Sequence, residues 1–488
     1  MSHLAATDTN SFEDEKGRVE QHEFAKQASA QADADALNVT EEFERKTIRK
    51  VDMRLLLILS AIYAVSLIDR TNISVARVAG MAKALKLTIG ERYSIITLVF
   101  FAPYIVFELP SNLLMRKIGP RIHLSAITIL WGAVMLGMAF VKDWKQLLAC
   151  RFLLGFLESG FFPGCVYLIS TWYTRHELQK RMSFFYLSSM VISGFSNIIG
   201  YGMSLLEGRA GLGGWQWIFL LFGIITIALG IFAVLFIVDF PDRAKFLNPE
   251  QRAFVIARVN RDRGDAEADH FTLAKGLKHA CDLKLWAFGL VFCFSTMPAY
   301  AFSYFLPVIL SGGGYDRKLS LCLSAPPYVF AAIFTFVMAV FSDKRKNRAI
   351  FIAFSATVCF VGLFIMAYAG PLGVRYFGSF LAIAGAQSNV PAALTYQANN
   401  VRSHTKRAVS SAICVGMGGM GGIFASLVYR QVDYPKYLPG LWATIGCQFS
   451  ILAILVALSL YFRKRNAEAD RGERILEESP DNSFRYTL

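Results

Sequence analysis

Long uninterrupted apolar segments recur along the whole chain, and they limit what it can fold into more than any other feature. A helix needs roughly 20 apolar residues to cross the ~30 Å hydrocarbon layer of a membrane. Runs of about that length lie at 53–76, 93–114, 122–141, 147–170, 182–206, 216–239, 285–310, 319–341, 349–369, 373–396, 408–429 and 440–462. The sequence therefore predicts an all-α polytopic membrane protein with twelve transmembrane helices.

The composition excludes other classes of protein. Of the 488 residues, 55% are hydrophobic and only 18% are charged, whereas soluble proteins have about 45–50% apolar and about 25% charged residues. The net charge of +14 could suggest a nucleic-acid binder, but the basic residues lie in short clusters between apolar runs. Loop charges that orient helices account for such clusters better. The eight cysteines form no CxxC pair, so no metal site is predicted.

The longest polar stretch between apolar runs separates the sixth run from the seventh and divides the chain into two halves. Lysine and arginine are concentrated in the termini and in this central stretch, which predicts that both termini are cytoplasmic. The expected domains are a polar tail (1–50), an N-terminal six-helix bundle (51–239), a cytoplasmic linker (240–284), a C-terminal six-helix bundle (285–462) and a second tail (463–488).

A basic turn occurs at the same place in each half. Arg116-Lys117-Ile118-Gly119-Pro120-Arg121 follows the second apolar run, and Asp343-Lys344-Arg345-Lys346-Asn347-Arg348 follows the eighth. The repetition suggests two pseudo-symmetric six-helix units around a central pathway. Alternatively, the turns are basic only because cytoplasmic turns commonly are.

Several motifs, taken in order, resemble one family of transporters. The two turns are similar to the loop signature of the major facilitator superfamily. Asp69-Arg70-Thr71-Asn72-Ile73, Leu109-Pro110-Ser111-Asn112 and the pairing of Arg151 with Glu158 resemble its anion:cation symporter branch. Asp239-Phe240-Pro241-Asp242 and the stretch 399–408 resemble the fungal allantoate/nicotinate permease subgroup. The resemblance covers about residues 45–465 and implies the major facilitator fold.

The resemblance also implies roles for individual residues. Proton coupling falls to Asp69, Glu158 and Arg151, and gating to the loop residues Arg116, Gly119, Arg121, Asp343, Lys344 and Arg348. The resemblance implies substrate binding by Arg70 and Tyr104. The further expected substrate-binding residues are Asn72 of the same first-helix motif and, from their predicted positions alone, Tyr304, Gln387 and Asn389. The guanidinium fork of Arg70 suits bidentate recognition of a carboxylate. One departure is Arg116, which stands where the first turn usually has Asp, so a gating salt bridge is doubtful there.

Position alone also permits purely structural roles for some of these residues. A charge at mid-bilayer costs roughly 2.5–3.5 kcal/mol on insertion scales, so Glu158, deep in the fourth run, points to a function. Asp69 and Arg70 could instead cap the outer end of the first helix, and Arg151 could extend to the interface. Polar residues such as Gln387 and Asn389 could equally form interhelical hydrogen bonds.

The expected function is proton-coupled import of a small organic anion, such as nicotinate, allantoate or a related acid, across the plasma membrane by alternating access. Protons, the anion and the bilayer are the expected partners, and a monomer without cofactor is expected. No P-loop or protease motif suggests an enzyme. The alternatives are an exporter of an acidic metabolite and a non-transporting nutrient receptor.

Overall fold

The computed structural model describes residues 41–264, 278–345, 347–401, 404–434, 436–473, 476–477 and 484–487. All regular secondary structure in these ranges is helical. The gating residue Asp343 lies within a helix, but its side chain is outside the described part of the chain.

Each predicted apolar run coincides with one helix or with two or three consecutive helical segments, numbered here as the first to the twelfth helix. Their bounds are Glu41–Ala76 continued by Arg77–Met81 and Ala82–Ala84; Arg92–Val99 with Phe101–Ile118; Pro120–Met138; Trp144–Glu158 with Phe161–Trp172; Arg175–Gly194 with Ser196–Ser204; Gly214–Phe236; Leu283–Gly312; Arg317–Cys322 with Ala325–Arg345; Arg348–Tyr368; Leu372–Asn399; His404–Val428; and Leu438–Asp470.

Eleven of these helices are, within the described residues, long and apolar enough to cross a membrane. The exception is the tenth helix, which has 28 residues but is interrupted by the polar sequence Gln387-Ser388-Asn389. Gln387, Val390 and Leu394 of this helix line a central cavity. A helix beside a polar cavity does not need to be apolar all round, because only part of its surface faces lipid.

The first helix is longer than the apolar run that predicted it. It begins at Glu41 rather than near residue 53. Its early turns contact a helix of the linker, Pro249–Gly264, where Arg258 forms ion pairs with Glu44 at 2.9 Å and with Glu177 of the fifth helix at 2.7 Å. The linker helix is therefore attached to the N-terminal half.

The helix order places the loops on two faces. An even number of crossings puts both termini on one face, called here the termini face. The opposite face consists of the loops 85–91, 139–143, 205–213, 313–316, 369–371 and 429–437.

Contacts between the halves close the opposite face. The Tyr93 hydroxyl donates to the Tyr304 carbonyl at 3.0 Å, and Arg317 bonds the Glu207 carboxylate at 2.7 Å. A third contact joins the guanidinium of Arg77 to the side-chain oxygen of Gln431. Tyr93 and Tyr304 are fully buried, so the central cavity is closed toward this face.

The C-terminal tail folds back onto the termini face of the second half. Glu477 accepts hydrogen bonds from Lys284 and from Lys406, both at 2.8 Å. The ring of Tyr486 stacks on Phe462 at a centroid distance of 4.5 Å, and its hydroxyl donates to Glu477 at 3.0 Å. The tail thus connects the start of the seventh helix, the start of the eleventh and the twelfth.

The charge of Glu477 controls this attachment. Burial acts to raise its pKa, but the hydrogen bonds and positive charges of Lys284 and Lys406 outweigh burial and lower the pKa below its usual value. A lowered pKa stabilises the docked tail at pH values above the ordinary glutamate pKa of about 4.3, and this stabilisation is lost as the pH falls through the lowered value.

The pH dependence of tail docking follows from this shift. We expect the anisotropy of a fluorophore at the C-terminus to stay high from pH 7 to pH 5, because the tail stays docked, and to fall only in stronger acid.

The Glu477→Gln variant should release the tail at neutral pH, because it removes the charge that both lysines contact. The measurement is hydrogen–deuterium exchange of residues 484–487 in detergent. Glu473→Gln is the control, since Glu473 pairs with Arg471 through exposed side chains. Equal protection of these amides in wild type and Glu477→Gln would contradict this account of the tail.

Candidate functional site

A buried ion pair joins the first helix to the fourth. Nη2 of Arg70 lies 2.5 Å from Oε1 of Glu158, and Nε of Arg70 lies 3.2 Å from the same oxygen. The hydroxyl of Ser66, one turn earlier on the first helix, also donates to this oxygen at 2.5 Å. The side chains of Arg70 and Glu158 are 5% and 1% exposed. The alternative in which Arg70 caps the outer end of the helix is therefore wrong.

The second carboxylate oxygen of Glu158 has a different environment. Oε2 is buried and has no hydrogen-bond partner among the described residues. A carboxylate held by one oxygen only can accept a proton on the other without first losing a donor. The contacts of Glu158 with Arg70 and Ser66 are thus all made by Oε1, and Oε2 accepts no hydrogen bond from the described residues.

Close packing of the second and fourth helices sets the position of Glu158. Glu158 ends the segment Trp144–Glu158, and the fourth helix resumes at Phe161. A Cβ at Gly155 would lie 2.1 Å from the Phe100 carbonyl oxygen, and one at Gly160 would lie 1.9 Å from the Ser111 hydroxyl. Only glycine allows this approach, so these two residues fix the depth of Glu158 relative to the second helix.

Aromatic side chains surround the guanidinium of Arg70. Its carbon lies 4.9 Å from the ring centroid of Tyr104 and 5.1 Å from that of Phe100. Its Nη1 donates to the hydroxyl of Tyr300, on the seventh helix, at 3.0 Å. Arg70 therefore brings a buried charge of the first half into direct contact with the second half, at the wall of the cavity.

Arg151 is also fully buried and does not extend to the interface. Both of its terminal nitrogens donate to the main-chain oxygen of Arg70 at 3.2 Å. The resemblance connected Arg151 with Glu158, whereas the hydrogen bonds connect it with the backbone beside the ion pair. Arg151 thereby positions the turn of the first helix that carries Arg70.

Asp69 points away from the ion pair, into the interior of the first half. Its Oδ2 accepts hydrogen bonds from Thr226 of the sixth helix at 2.8 Å and from Trp131 of the third helix at 3.2 Å. Its Oδ1 is buried without a hydrogen-bond partner in the described part of the chain. Asp69 and Arg70 are sequence neighbours but belong to separate polar clusters.

A cavity of about 150 Å³ lies between the halves, next to the ion pair. Of the predicted binding residues, it is lined by Arg70, Tyr104 and Gln387. It is also lined by Asn197, Tyr300 and Ser303.

The other predicted binding residues are buried beyond this lining. The Asn72 and Asn389 amides lack hydrogen-bond partners among described residues, and Tyr304 belongs to the contacts that close the opposite face.

The basic turns lie on the termini face. Arg116 stacks over the ring of Tyr167 at 4.5 Å, and Arg121 donates to the Val234 carbonyl at 2.7 Å. Gly119 has a φ of 98°, and a Cβ there would lie 3.2 Å from a carboxylate oxygen of Asp239. In the second turn, Arg348 donates to Ser342 at 3.2 Å, and Lys344 lies in the last turn of its helix.

Sequence reasoning missed several residues of this region. Ser66, Trp131 and Thr226 are ordinary residues of apolar helices, and only their contacts with Glu158 or Asp69 distinguish them. Arg77 was missed because the predicted first span ended at residue 76, whereas helical structure continues through Arg77–Met81.

Comparison with known proteins agrees with the resemblance in the motifs. The sequence profile of the Major Facilitator Superfamily matches residues 59–426. The major facilitator-type transporter hxnP of Emericella nidulans is 31% identical over 450 residues, which cover 90% of each chain. The high-affinity nicotinic acid transporter of Saccharomyces cerevisiae is 28% identical over 460 residues, covering 91% of this chain and 85% of that protein. These relatives are transporters and not enzymes.

Solved structures show the same fold. A bacterial homologue of the human lysosomal transporter Spinster, in an inward-facing and occupied conformation, matches with a TM-score of 0.67 at 16% identity, over 84% of this chain and 97% of that one. The xylose transporter XylE from E. coli matches with a TM-score of 0.63 at 15% identity, over 82% and 97%. The predicted major facilitator fold is confirmed.

The burial of the ion pair predicts a strong, non-additive effect on stability. Removing one partner of a buried pair costs about 3–5 kcal/mol, because the other charge is left unpaired, whereas replacing both by apolar residues is often neutral. We expect Glu158→Leu to lower the unfolding temperature in detergent substantially, and Arg70→Leu/Glu158→Leu to restore most of it. The exposed pair of Glu207 and Arg317 provides the control, because Glu207→Gln should have little effect. Additive losses in the double variant would contradict the pairing.

Proposed function

Because the chain belongs to the Major Facilitator Superfamily, whose members are membrane transporters, we propose that it imports a small organic anion together with protons by alternating access. The observation that carries this proposal is the buried pair of Arg70 and Glu158 at the wall of the central cavity. Arg70 supplies the one guanidinium among the described residues that line the cavity, and Glu158 is its internal anion.

Exchange of one anion for another at Arg70 couples substrate to proton. A substrate carboxylate that binds the guanidinium must displace Glu158, because both need the same donors. The displaced glutamate would then be a buried, unpaired charge, which is strongly unfavourable unless it takes up a proton. Binding of one carboxylate and one proton thus leaves the site electrically neutral, as it was before.

The net charge that crosses the membrane in each cycle determines which gradients drive transport. One proton with a monoanion moves no net charge, so only the pH gradient contributes, about 1.4 kcal/mol or tenfold accumulation per pH unit. We assign a second proton to Asp69, whose Oδ1 is buried and accepts no hydrogen bond from the described residues. With two protons, one positive charge enters per cycle, and a membrane potential of 100 mV adds about 2.3 kcal/mol.

The substrate class follows from the cavity and from one relative. Tyr104, Tyr300 and Tyr63 give the cavity aromatic walls beside the guanidinium, which suits a small ring-bearing carboxylate. The similarity to a yeast nicotinic acid transporter favours the same class. We propose nicotinate or a related acid as substrate, Tyr104 and Gln387 as further contacts, and a monomer in the plasma membrane with cytoplasmic termini.

The two faces of the bundle are the proposed gates of the transport pathway. We propose that the basic turns around Gly119 and Arg348 rearrange when the termini face closes, with Asp239 supplying the carboxylate that position 116 lacks. The two six-helix bundles, 51–239 and 285–462, would move as the rocking units.

Uptake of labelled nicotinate, allantoate and pantothenate into cells that express the chain tests the proposal. One of these acids should accumulate at least tenfold more at pH 5 than at pH 7.5, and a protonophore should abolish the difference. Glu158→Gln should lose accumulation against a gradient, whereas Glu473→Gln, in an exposed pair with Arg471, should behave like wild type. Faster efflux of preloaded acid without any accumulation would instead identify an exporter.

A further inference from the structure

The first helix carries a second buried arginine, Arg77, between the cavity and the opposite face. Its side chain is 7% exposed. Its guanidinium donates to the side-chain oxygen of Gln431 and lies 4.0 Å from the ring centroid of Tyr93. Among the described residues no carboxylate forms an ion pair with it; the nearby Asp433 bonds Arg430 at 3.2 Å instead.

A buried cation with neutral partners only is unusual, because burial of an unpaired charge is unfavourable. The contact with Gln431 is also conditional. Arg77 and Tyr93 belong to the first half, and Gln431 lies in the loop after the eleventh helix of the second half. When the halves separate at this face, Arg77 keeps Tyr93 but loses Gln431, so its hydrogen-bond donors become free at the mouth of the cavity.

The spacing aligns this arginine with the central site. Arg77 follows Arg70 by seven residues and Arg70 follows Tyr63 by seven, so the three lie along one face of the first helix. Tyr63 and Arg70 line the cavity. Seven residues correspond to roughly 10 Å along the axis. In the present conformation Tyr93, whose ring lies against the guanidinium of Arg77, donates a hydrogen bond to the Tyr304 carbonyl of the second half.

From this arrangement we infer that Arg77 forms an outer binding site for the substrate carboxylate, which is occupied before Arg70 when the opposite face is open. The incoming anion takes the place of Gln431, passes along the face of the first helix to Arg70, and Gln431 returns to Arg77 as the face closes. The inference rests on the proposed function and extends it to the mouth of the pathway.

Two variants on the same contact separate this role from a purely structural one. Arg77→Gln removes the cation, so the KM for uptake should rise about tenfold, the loss expected for one charge-assisted hydrogen bond, while kcat changes little. Gln431→Ala removes the partner but leaves the cation free, so KM should fall or stay unchanged. If Arg77 only held the face closed, both variants would weaken the same contact and change KM in the same direction.

The measurement is the initial rate of nicotinate uptake into cells at pH 5, at substrate concentrations on both sides of the wild-type KM. Surface expression and unfolding temperature of each variant exclude misfolding, and Arg77→Lys should recover part of the affinity. Arg92→Gln is the matched control. Arg92 also lies near the opposite face of the bundle, but its guanidinium stacks on Trp144 rather than on a residue of the second half. A KM that rises in Arg77→Gln and falls or stays unchanged in Gln431→Ala supports the inference; a KM that rises in both variants, or does not rise in Arg77→Gln, overturns it. If the wild type transports none of nicotinate, allantoate and pantothenate, the proposed function is wrong, and this inference fails with it.

Discussion

The interior of this transporter depends on one charge pair that is buried inside the membrane-spanning bundle. Arg70 and Glu158 are each too costly to bury alone, and their mutual contact at 2.5 Å makes their presence in the membrane tolerable. The pair also leaves one carboxylate oxygen without a partner among the described residues and turns the guanidinium toward a cavity. An interaction that is needed for stability but can be exchanged for an equivalent one is suited to a transport cycle.

Neighbouring groups restrict how this exchange can occur. Arg151 binds the backbone of Arg70 and would therefore hold the guanidinium in place during the proposed exchange of anions. Tyr300 connects the same guanidinium to the second half, so the proposed change of partner at Arg70 would alter a contact between the halves. Closure of the opposite face combines the neutral contact of Tyr93 with the Tyr304 carbonyl and the partly exposed ion pair of Arg317 with Glu207, so its opening breaks no fully buried charge pair.

The sequence predicted the fold well, because the membrane imposes helix length and apolarity on each span. The tenth helix shows that apolarity is a weaker signal where a helix borders the cavity, although the length of the run at 373–396 still predicted this helix. Motifs identified Arg70 and Glu158, but their direct contact depends on the rotation of two helices that only packing fixes, through Gly155 and Gly160. Because a sequence does not show how helices are rotated, Asp69 was grouped with Glu158, whereas its carboxylate faces Trp131 and Thr226. Arg77 was not predicted as a site residue because the apolar run ends at residue 76, whereas the helical structure continues through Met81.

Proton uptake on substrate binding tests the central claim most directly. Calorimetric titration of the purified protein with nicotinate at pH 7.5, repeated in buffers of different ionisation enthalpy, gives the number of protons bound per substrate. The account predicts that at least one proton is taken up per carboxylate, since Glu158 must be neutralised when it leaves Arg70, and two if Asp69 is protonated in the same step. In Glu158→Gln, binding should persist without this proton. Binding to the wild type without proton uptake would contradict exchange of anions at Arg70.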